Sequence, residues 1–186
     1  APITMQSISV HKLEEALESD TSILDCRPTS DFASSHVPNS ISNSINGFYE
    51  YMATCLFDKK KPLIVIAEPG RKSEAILRLD IDGFTNLSFF DFEKWKSSGN
   101  PTSSIVRFSA KDTTAHLAKL KDVSNAEDWE VLHVKGVSSV PLIDIVDNPD
   151  IITEVDVLYC AQGHKSMAAA SFMATKGVNV SDIMGG

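Results

Sequence analysis

Cys160 is the residue in this sequence with the clearest capacity for chemistry, and it stands where two segments of different character meet. Residues 155–159 are mostly apolar and β-branched, as in a buried strand, and the residues from Ser166 onward are rich in Ala and Met, which favours a helix. A thiol at such a junction faces the backbone N–H groups of a tight loop and the positive end of the helix, and both favour the thiolate. The pattern therefore predicts a nucleophile at Cys160.

The residues after Cys160 form a loop suited to holding an anionic sulfur. They are Ala161, Gln162, Gly163, His164, Lys165 and Ser166. Gly163 allows the backbone to curl around the sulfur, Lys165 adds positive charge, and Ser166 is placed to cap the following helix. The alternative is that Cys160 is a small buried hydrophobe at a strand end, as free cysteines often are.

Length and composition limit the class of protein. The 186 residues are 42% hydrophobic, enough for one ordinary core or two small ones, and no apolar run reaches membrane-spanning length. The formal net charge of -8 argues against a nucleic-acid surface, because the basic cluster at 59–61 is most simply a solvated turn. Three cysteines without paired spacing, and no signal sequence, indicate a reducing cytoplasm. No spacing of His, Cys or carboxylates predicts a metal site.

Predicted helices and buried strands alternate along the first half of the chain. Ser9 is a candidate N-cap for the first helix. The helices are expected at 10–18 and 45–56, the strands at 22–26 and 62–67, and a turn followed by a short strand within 83–90. The polar run 97–104 is the best candidate for a linker and divides the chain near its middle.

The loop from Cys160 to Lys165 resembles the active-site loop of rhodanese-like sulfurtransferases, in which a Cys opens a six-residue loop closed by Arg or Lys and followed by Ser. Residues 25–41 resemble a second signature of that family, an Asp-x-Arg followed by an aromatic residue, a His and a Pro turn, and residues 122–137 repeat it. The resemblance implies an α/β fold of two rhodanese-like modules, each a mainly parallel sheet flanked by helices. Their expected bounds are 1–102 and 103–186.

The first module resembles a copy that has lost its nucleophile. Residues 67–73 lie over 160–166 with matching Gly, Lys and Ser, but Ala67 stands in the place of the Cys. Glu68 beside it would repel an anionic sulfur donor. Cys26 and Cys55 are interpreted as packing residues and do not replace the missing thiol.

The second module departs from the family pattern in two places. Ser124 replaces the Arg of the Asp-x-Arg signature, and no Trp-bearing helix follows the last predicted strand. An inactive module followed by an active one, in a chain that opens on Ala1, resembles the C-terminal part of bacterial fusions with a metallo-β-lactamase-fold persulfide dioxygenase. Sulfurtransferases of two modules without the dioxygenase share the same plan, so both arrangements stay open.

The resemblance implies sulfur transfer by double displacement. Cys160 would take sulfane sulfur from thiosulfate or a low-molecular-weight persulfide and pass it, as a covalent persulfide and without another cofactor, to sulfite, cyanide or a thiol. The N–H groups of residues 161–166 would hold the outer sulfur's charge, while His36, His133 and Asp122 are expected to be structural. A cysteine phosphatase would need a longer loop ending in Arg. The remaining alternative is a noncatalytic interaction or regulatory module.

Overall fold

A computed structural model of the chain describes residues 6–184. It divides into two compact units, with the boundary between Ser104 and Ile105. Each unit contains a sheet whose named strands pair in parallel, with helices packed on it, which confirms the predicted α/β class. Residues 1–5, 185 and 186 of the predicted modules lie outside the described residues. No helix within residues 6–184 is long and apolar enough to cross a membrane.

The first unit is built on a sheet in which the strand order is β2-β1-β3-β4. Its strands are β1 (Ser22–Asp25), β2 (Ser40–Ser42), β3 (Leu63–Ile66) and β4 (Leu87–Phe90). Its helices are α1 (Val10–Leu17), α2 (Thr29–Ser34), α3 (Tyr49–Leu56), α4 (Lys72–Ile81) and α5 (Phe92–Ser97). β3 is apolar and buried along its whole length, as expected for a strand of a parallel sheet whose connecting helices cover it.

The second unit has a sheet in which the strand order is β5-β9-β8-β6-β7. Its strands are β5 (Arg107–Phe108), β6 (Leu120–Asp122), β7 (Ser138–Ser139), β8 (Val157–Tyr159) and β9 (Ser181–Ile183). Its α-helices are α6 (Ala126–Val131), α7 (Leu142–Asp147) and α8 (His164–Thr175), and short 3-10 segments cover Ala110–Lys119 and Pro149–Ile151. β8 therefore lies in the middle of the sheet, between β6 and β9.

Each unit has its own apolar core. In the first, Trp95 is almost fully buried in a cluster with Leu13, Ile64 and Phe90, and its Nε1 donates a hydrogen bond to the Pro101 carbonyl oxygen at 2.9 Å. In the second, the cluster takes one side chain from each of the neighbouring strands β6, β8 and β9. These side chains are Leu120, Val157 and Ile183, and Val137, which directly precedes β7, belongs to the same cluster. The packing holds β8, and with it the start of the Cys160 loop, in a fixed place.

The turn after the first signature Asp has the same geometry in both units. In the first unit the Arg27 N–H donates to Asp25 Oδ1 at 3.1 Å, and in the second the Ser124 N–H donates to Asp122 Oδ1 at 2.9 Å. Asp25 and Asp122 are both buried at the end of a strand. The loss of the signature Arg at Ser124 therefore leaves this backbone turn in place.

A stacked His closes the next turn of each unit. His36 stacks on Phe32 with ring centroids 3.9 Å apart, and His133 stacks on Trp129 at 3.8 Å. In each case Nδ1 lies within hydrogen-bond distance of the carbonyl oxygen of the stacking partner, at 2.7 and 2.6 Å. Both contacts are those of residues that fix a turn, as expected from the sequence.

Candidate active site

Cys160 directly follows β8, at the carboxyl end of a central strand. Ligands commonly bind at this edge of parallel sheets. The residue is 4% exposed, and its Sγ accepts a hydrogen bond from the Ser166 N–H at 3.3 Å. A backbone N–H aimed at this position can hold a negative charge there through a charge-assisted hydrogen bond.

The loop between Cys160 and α8 depends on Gly163, which has a φ of 76°. This left-handed conformation is open to Gly and strained for a residue with a Cβ. It turns the chain into α8 so that Ser166 falls in the first turn, where N–H groups have no partner within the helix. The Cys160 sulfur is therefore bound by one of the donors that the start of α8 leaves free.

The predicted role of Ser166 as helix cap is wrong. The N-cap of α8 is Gly163, and Ser166 lies inside the first turn of the helix. Its hydroxyl donates instead to Asp182 Oδ2 at 2.8 Å. The helix begins two residues earlier than the Ala-rich run indicated because the turn at Gly163 already sets its direction.

Arg107 and Asp182 belong to the site, and the sequence pattern did not reveal them. Asp182 is fully buried on β9 and accepts hydrogen bonds from Arg107 Nε at 2.9 Å and Nη2 at 2.8 Å. Arg107 Nη2 also donates to the Gly163 carbonyl oxygen at 2.8 Å. The two residues are 75 positions apart in the sequence, so no local pattern links them. The available signal was that each of two short strands contains one charged residue, which could have suggested an ion pair.

Lys165 is buried to a degree that is unusual for lysine. Its side chain is 8% exposed, and its Nζ lies 3.9 Å from Asp128 Oδ2 on α6. That separation is at the outer limit of an ion pair, and the Asp128 side chain is 66% exposed to water. Lys165 therefore brings a positive charge to the loop that closes on Cys160.

The two aromatic titratable groups next to the nucleophile are held neutral. The pKa of His164 is lowered by burial and by the nearby Arg107 charge, and its buried Nδ1 has no hydrogen-bond partner among the described residues. The pKa of Tyr159 is raised by burial and by the charges of Asp122 and Cys160. At neutral pH His164 is therefore an uncharged imidazole and Tyr159 a protonated phenol. The loop residues Ala161 and Gln162 are exposed.

The first unit has the same strand-loop-helix arrangement without the sulfur. Ala67 follows β3 and is 3% exposed, Gly70 has a φ of 89°, and α4 begins at Lys72. The geometry thus repeats that of the Cys160 loop at Ala67, where the side chain has no nucleophilic atom.

A cavity of about 380 Å³ lies at this edge of the first sheet. Its lining includes four carboxylates, those of Asp31, Glu68, Asp91 and Glu93, and two cations, Arg27 and Lys96. The carboxylates are in excess, and an excess of negative charge around a site repels an anionic ligand. The first unit therefore lacks the nucleophile, and the charge of the lining beside Ala67 opposes an anionic sulfur donor.

Cys26 is not a second nucleophile. It follows β1, is 1% exposed, and its pKa is raised to about 12, mainly by burial and then by the Asp25 charge. The thiol therefore stays protonated at neutral pH. Cys55 lies near the end of α3 and is partly buried.

Within residues 6–184 no three His, Cys, Asp or Glu side chains are grouped so that they could hold a metal ion.

The first unit is similar in sequence to a known family. Residues 9–98 match the family model of the rhodanese-like domain. The match covers the unit with Ala67, and Cys160 lies outside it. The second unit repeats the Asp turn, the stacked His and the strand-loop-helix geometry of the first.

Solved structures share this fold. The Alr3790 protein from Anabaena sp. is 25% identical with a TM-score of 0.50, over 53% of this chain and 83% of that protein. The Escherichia coli 3-mercaptopyruvate sulfotransferase SseA is 17% identical with a TM-score of 0.48, over 98% of this chain and 99% of that protein. The thiosulfate sulfurtransferase of Pseudomonas aeruginosa is 17% identical, TM-score 0.47, over 96% of this chain and 43% of that enzyme. No protein with a curated description matches this chain in sequence.

Proposed function

We propose that this chain is a sulfurtransferase that carries sulfane sulfur on Cys160. The observation that carries the proposal is the hydrogen bond from the Ser166 N–H to Cys160 Sγ at the carboxyl end of β8. The match of residues 9–98 to the rhodanese-like domain supports the reaction class. The nucleophile belongs to the second of two rhodanese-like modules, 103–186, and the module of residues 1–102 is inactive.

The reaction consists of two displacements on sulfur. The Cys160 thiolate attacks the outer sulfur of thiosulfate, the S–S bond of thiosulfate breaks, and sulfite leaves with the bonding electron pair. A low-molecular-weight persulfide reacts in the same way and releases its thiolate. The acceptor, which is cyanide, sulfite or a thiol, then attacks the outer sulfur of the Cys160 persulfide, and the Cys160 thiolate is the leaving group. Neither displacement needs electrons from a cofactor, because the leaving group takes the bonding pair each time.

The loop supplies the electrostatics of both steps. The N–H groups of Ala161, Gln162, Gly163, His164, Lys165 and Ser166 hold the negative charge of the outer sulfur, as an oxyanion hole holds oxygen. Lys165 attracts the anionic donor as a point charge. His164 is a residue of the pocket mouth and not a base, because a sulfur that is already anionic has no proton to lose.

The sulfur metabolism of a reducing cytoplasm is the setting we propose. All three cysteines are free, in keeping with such a compartment. A persulfide dioxygenase of the metallo-β-lactamase fold, joined ahead of Ala1 in a longer protein, is the partner we propose for the chain. Its small-molecule partners are the anionic donors and the thiol or sulfite acceptors, with no role for nucleic acid or membrane.

The test is the intact mass of the reduced chain after incubation with thiosulfate and, separately, with glutathione persulfide. We expect a gain of one sulfur atom in the wild type, discharged by cyanide or sulfite, and no gain in Cys160→Ala. Cys26→Ala and Cys55→Ala are matched controls that should still gain the atom. Failure of the wild type to gain sulfur from either donor would overturn the proposal.

The second candidate is a noncatalytic interaction module, and Ala67 with its acidic surroundings is the observation that favours it for the first unit. A chain used only for interaction would leave Cys160 without a persulfide under every donor. The same mass measurement therefore separates the two functions.

A further inference from the structure

A buried ion pair lies beside the candidate active loop. The Arg107 side chain is 6% exposed and that of Asp182 is fully buried. The guanidinium donates through two nitrogens to the two carboxylate oxygens, at 2.9 and 2.8 Å. Such a two-point contact fixes the orientation of both side chains as well as their separation.

This ion pair contacts the loop at two places. Asp182 Oδ2 accepts the Ser166 hydroxyl at 2.8 Å, and Arg107 Nη2 donates to the Gly163 carbonyl oxygen at 2.8 Å. Ser166 is also the residue whose N–H binds the Cys160 sulfur at 3.3 Å. Strands β5 and β9 are thereby tied, through side chains, to the donor that faces the nucleophile.

The first unit provides an internal comparison. In β8 the residue two positions before Cys160 pairs with Asp182, and in β3 the residue two positions before Ala67 pairs with Phe89. The strand-edge partner is Arg107 for Asp182 and Ser7 for Phe89. The unit without the nucleophile therefore has Phe and Ser at the places of the ion pair.

The Arg107–Asp182 ion pair is not needed to form this type of sheet. Burying two charges has a desolvation cost that their attraction often only offsets, and well-packed apolar residues are frequently as stable. The first unit forms the same sheet with Phe89 and Ser7. Stability of the fold alone is thus a poor explanation for Arg107 and Asp182.

We propose that Arg107 and Asp182 are positioning residues for sulfur transfer, and that they act through Ser166 and Gly163. They hold the Ser166 N–H on the Cys160 sulfur and fix the turn at Gly163, so that the thiolate is stabilised before any donor binds. This inference rests on Cys160 being the nucleophile, as proposed above. It adds to the loop two residues from other strands that touch neither donor nor acceptor.

The test measures the thiol itself. In the full chain, Arg107→Met combined with Asp182→Leu removes the pair without leaving an unpaired buried charge. The rate of Cys160 alkylation by iodoacetamide is followed across pH, with the three cysteines resolved by peptide mass spectrometry. We expect the midpoint of the pH profile to rise by about one unit, and the rate near neutral pH to fall about tenfold.

The matched control removes an ion pair from the other unit. Arg78→Met with Glu50→Leu breaks the contact between a guanidinium on α4 and a carboxylate on α3, and both residues belong to the first unit. The Cys160 profile of this variant should coincide with that of the wild type. A coincident profile for the Arg107 and Asp182 double variant would overturn the proposal.

Ser166→Ala keeps the test decisive if the double variant does not fold. It removes the hydroxyl that binds Asp182 and retains the N–H that binds sulfur, so the midpoint should rise in the same direction. An unchanged midpoint in Ser166→Ala would equally overturn the proposal. Because alkylation needs no sulfur donor, a wild type that fails to form a persulfide would contradict the proposed function while this measurement still reports on positioning.

Discussion

The Ser166 N–H donates to the Cys160 sulfur across 3.3 Å, and the Ser166 hydroxyl donates to Asp182 across 2.8 Å. One residue thus uses its backbone to bind the nucleophile and its side chain to bind the sheet. Ser166 therefore connects the nucleophile and the start of α8 to the strand β9. This is why substitutions some distance from the sulfur are expected to change its reactivity.

Lys165→Met should weaken the capture of anionic donors. Because the lysine contributes one positive charge near the loop, we expect KM for thiosulfate to rise about tenfold, with a smaller change in kcat. Added salt should raise the KM of the wild type toward that of the variant, since salt screens the attraction. Steady-state kinetics with thiosulfate and cyanide at two ionic strengths measure both effects.

Lys176→Met is the control for this experiment, because Lys176 lies at the other end of α8 and is exposed. Its KM should equal that of the wild type. Equal KM values for Lys165→Met and the wild type would show that the buried ammonium plays no part in donor binding.

Ala67→Cys, made in a Cys160→Ala background, should not restore loading by thiosulfate. The new thiol would follow β3 in the correct geometry, but the four carboxylates that line the neighbouring cavity outnumber the two cations, Arg27 and Lys96, and repel the dianion. Intact mass after incubation with thiosulfate measures the gain of sulfur. Alkylation by neutral iodoacetamide serves as the control that the new thiol is accessible.

Glu68→Gln added to that variant should increase the loading, because it removes the carboxylate that directly follows the new thiol in the chain. Full loading of the Ala67→Cys variant without this second change would show that the acidic lining does not govern donor entry.

The first unit should lose stability as the pH falls from about 6.5 to about 4. Burial lowers the pKa of His36 to about 4. Between about pH 6.5 and pH 4, His36 therefore binds a proton in the unfolded chain but not in the folded unit. The folded-state pKa is depressed, and the stability is therefore present at higher pH and is lost on acidification. The difference amounts to about 3 kcal/mol between the two limits.

Denaturant unfolding followed by Trp95 fluorescence, in a Trp129→Phe background, reports on this unit. His36→Gln should flatten the dependence on pH, whereas His11→Gln should leave it intact because the His11 side chain is 78% exposed. If His36→Gln retains the full slope, another group is responsible for it.

Arg27→Met should destabilise the first unit by about 3 kcal/mol, because it leaves the fully buried Asp25 without its ion-pair partner. The change also removes the guanidinium from the Phe92 ring, where the Arg27 Cζ lies 3.8 Å from the ring centroid. Arg71→Met, which removes a half-buried contact with Glu74, should cost no more than about 1 kcal/mol. Equal losses in the two variants, measured by the same fluorescence, would contradict the special role of the Asp25 pair.

Local patterns in the sequence were sufficient for the principal elements of the fold. The apolar run at 62–67 became β3, the run before Cys160 became β8, and the thiol lies directly after the strand as expected. The ends of these two strands differ from the predicted runs by at most two residues, because hydrogen-bond pairing with neighbouring strands decides where a strand stops. Repeated motifs, rather than composition, identified the second unit.

Other features were out of reach of local patterns. β5 and β7 have two residues each, too few for any periodicity to show. Arg107 and Asp182 come together through the parallel pairing of β5 with β9, a register that the sequence does not specify. The misplaced cap at Ser166 has the same origin, since Ser166 turns to a carboxylate brought from β9 instead of to the backbone of its own helix.

α8 is buried along 165–173, and this run begins within the loop that holds the sulfur. Backbone groups in such a helix exchange with solvent only when the surrounding structure opens as a whole. We therefore expect the part of the Cys160 loop that lies in α8 to open only together with the second unit. The chemistry of the thiol and the cooperative melting of the second unit should end at one and the same temperature.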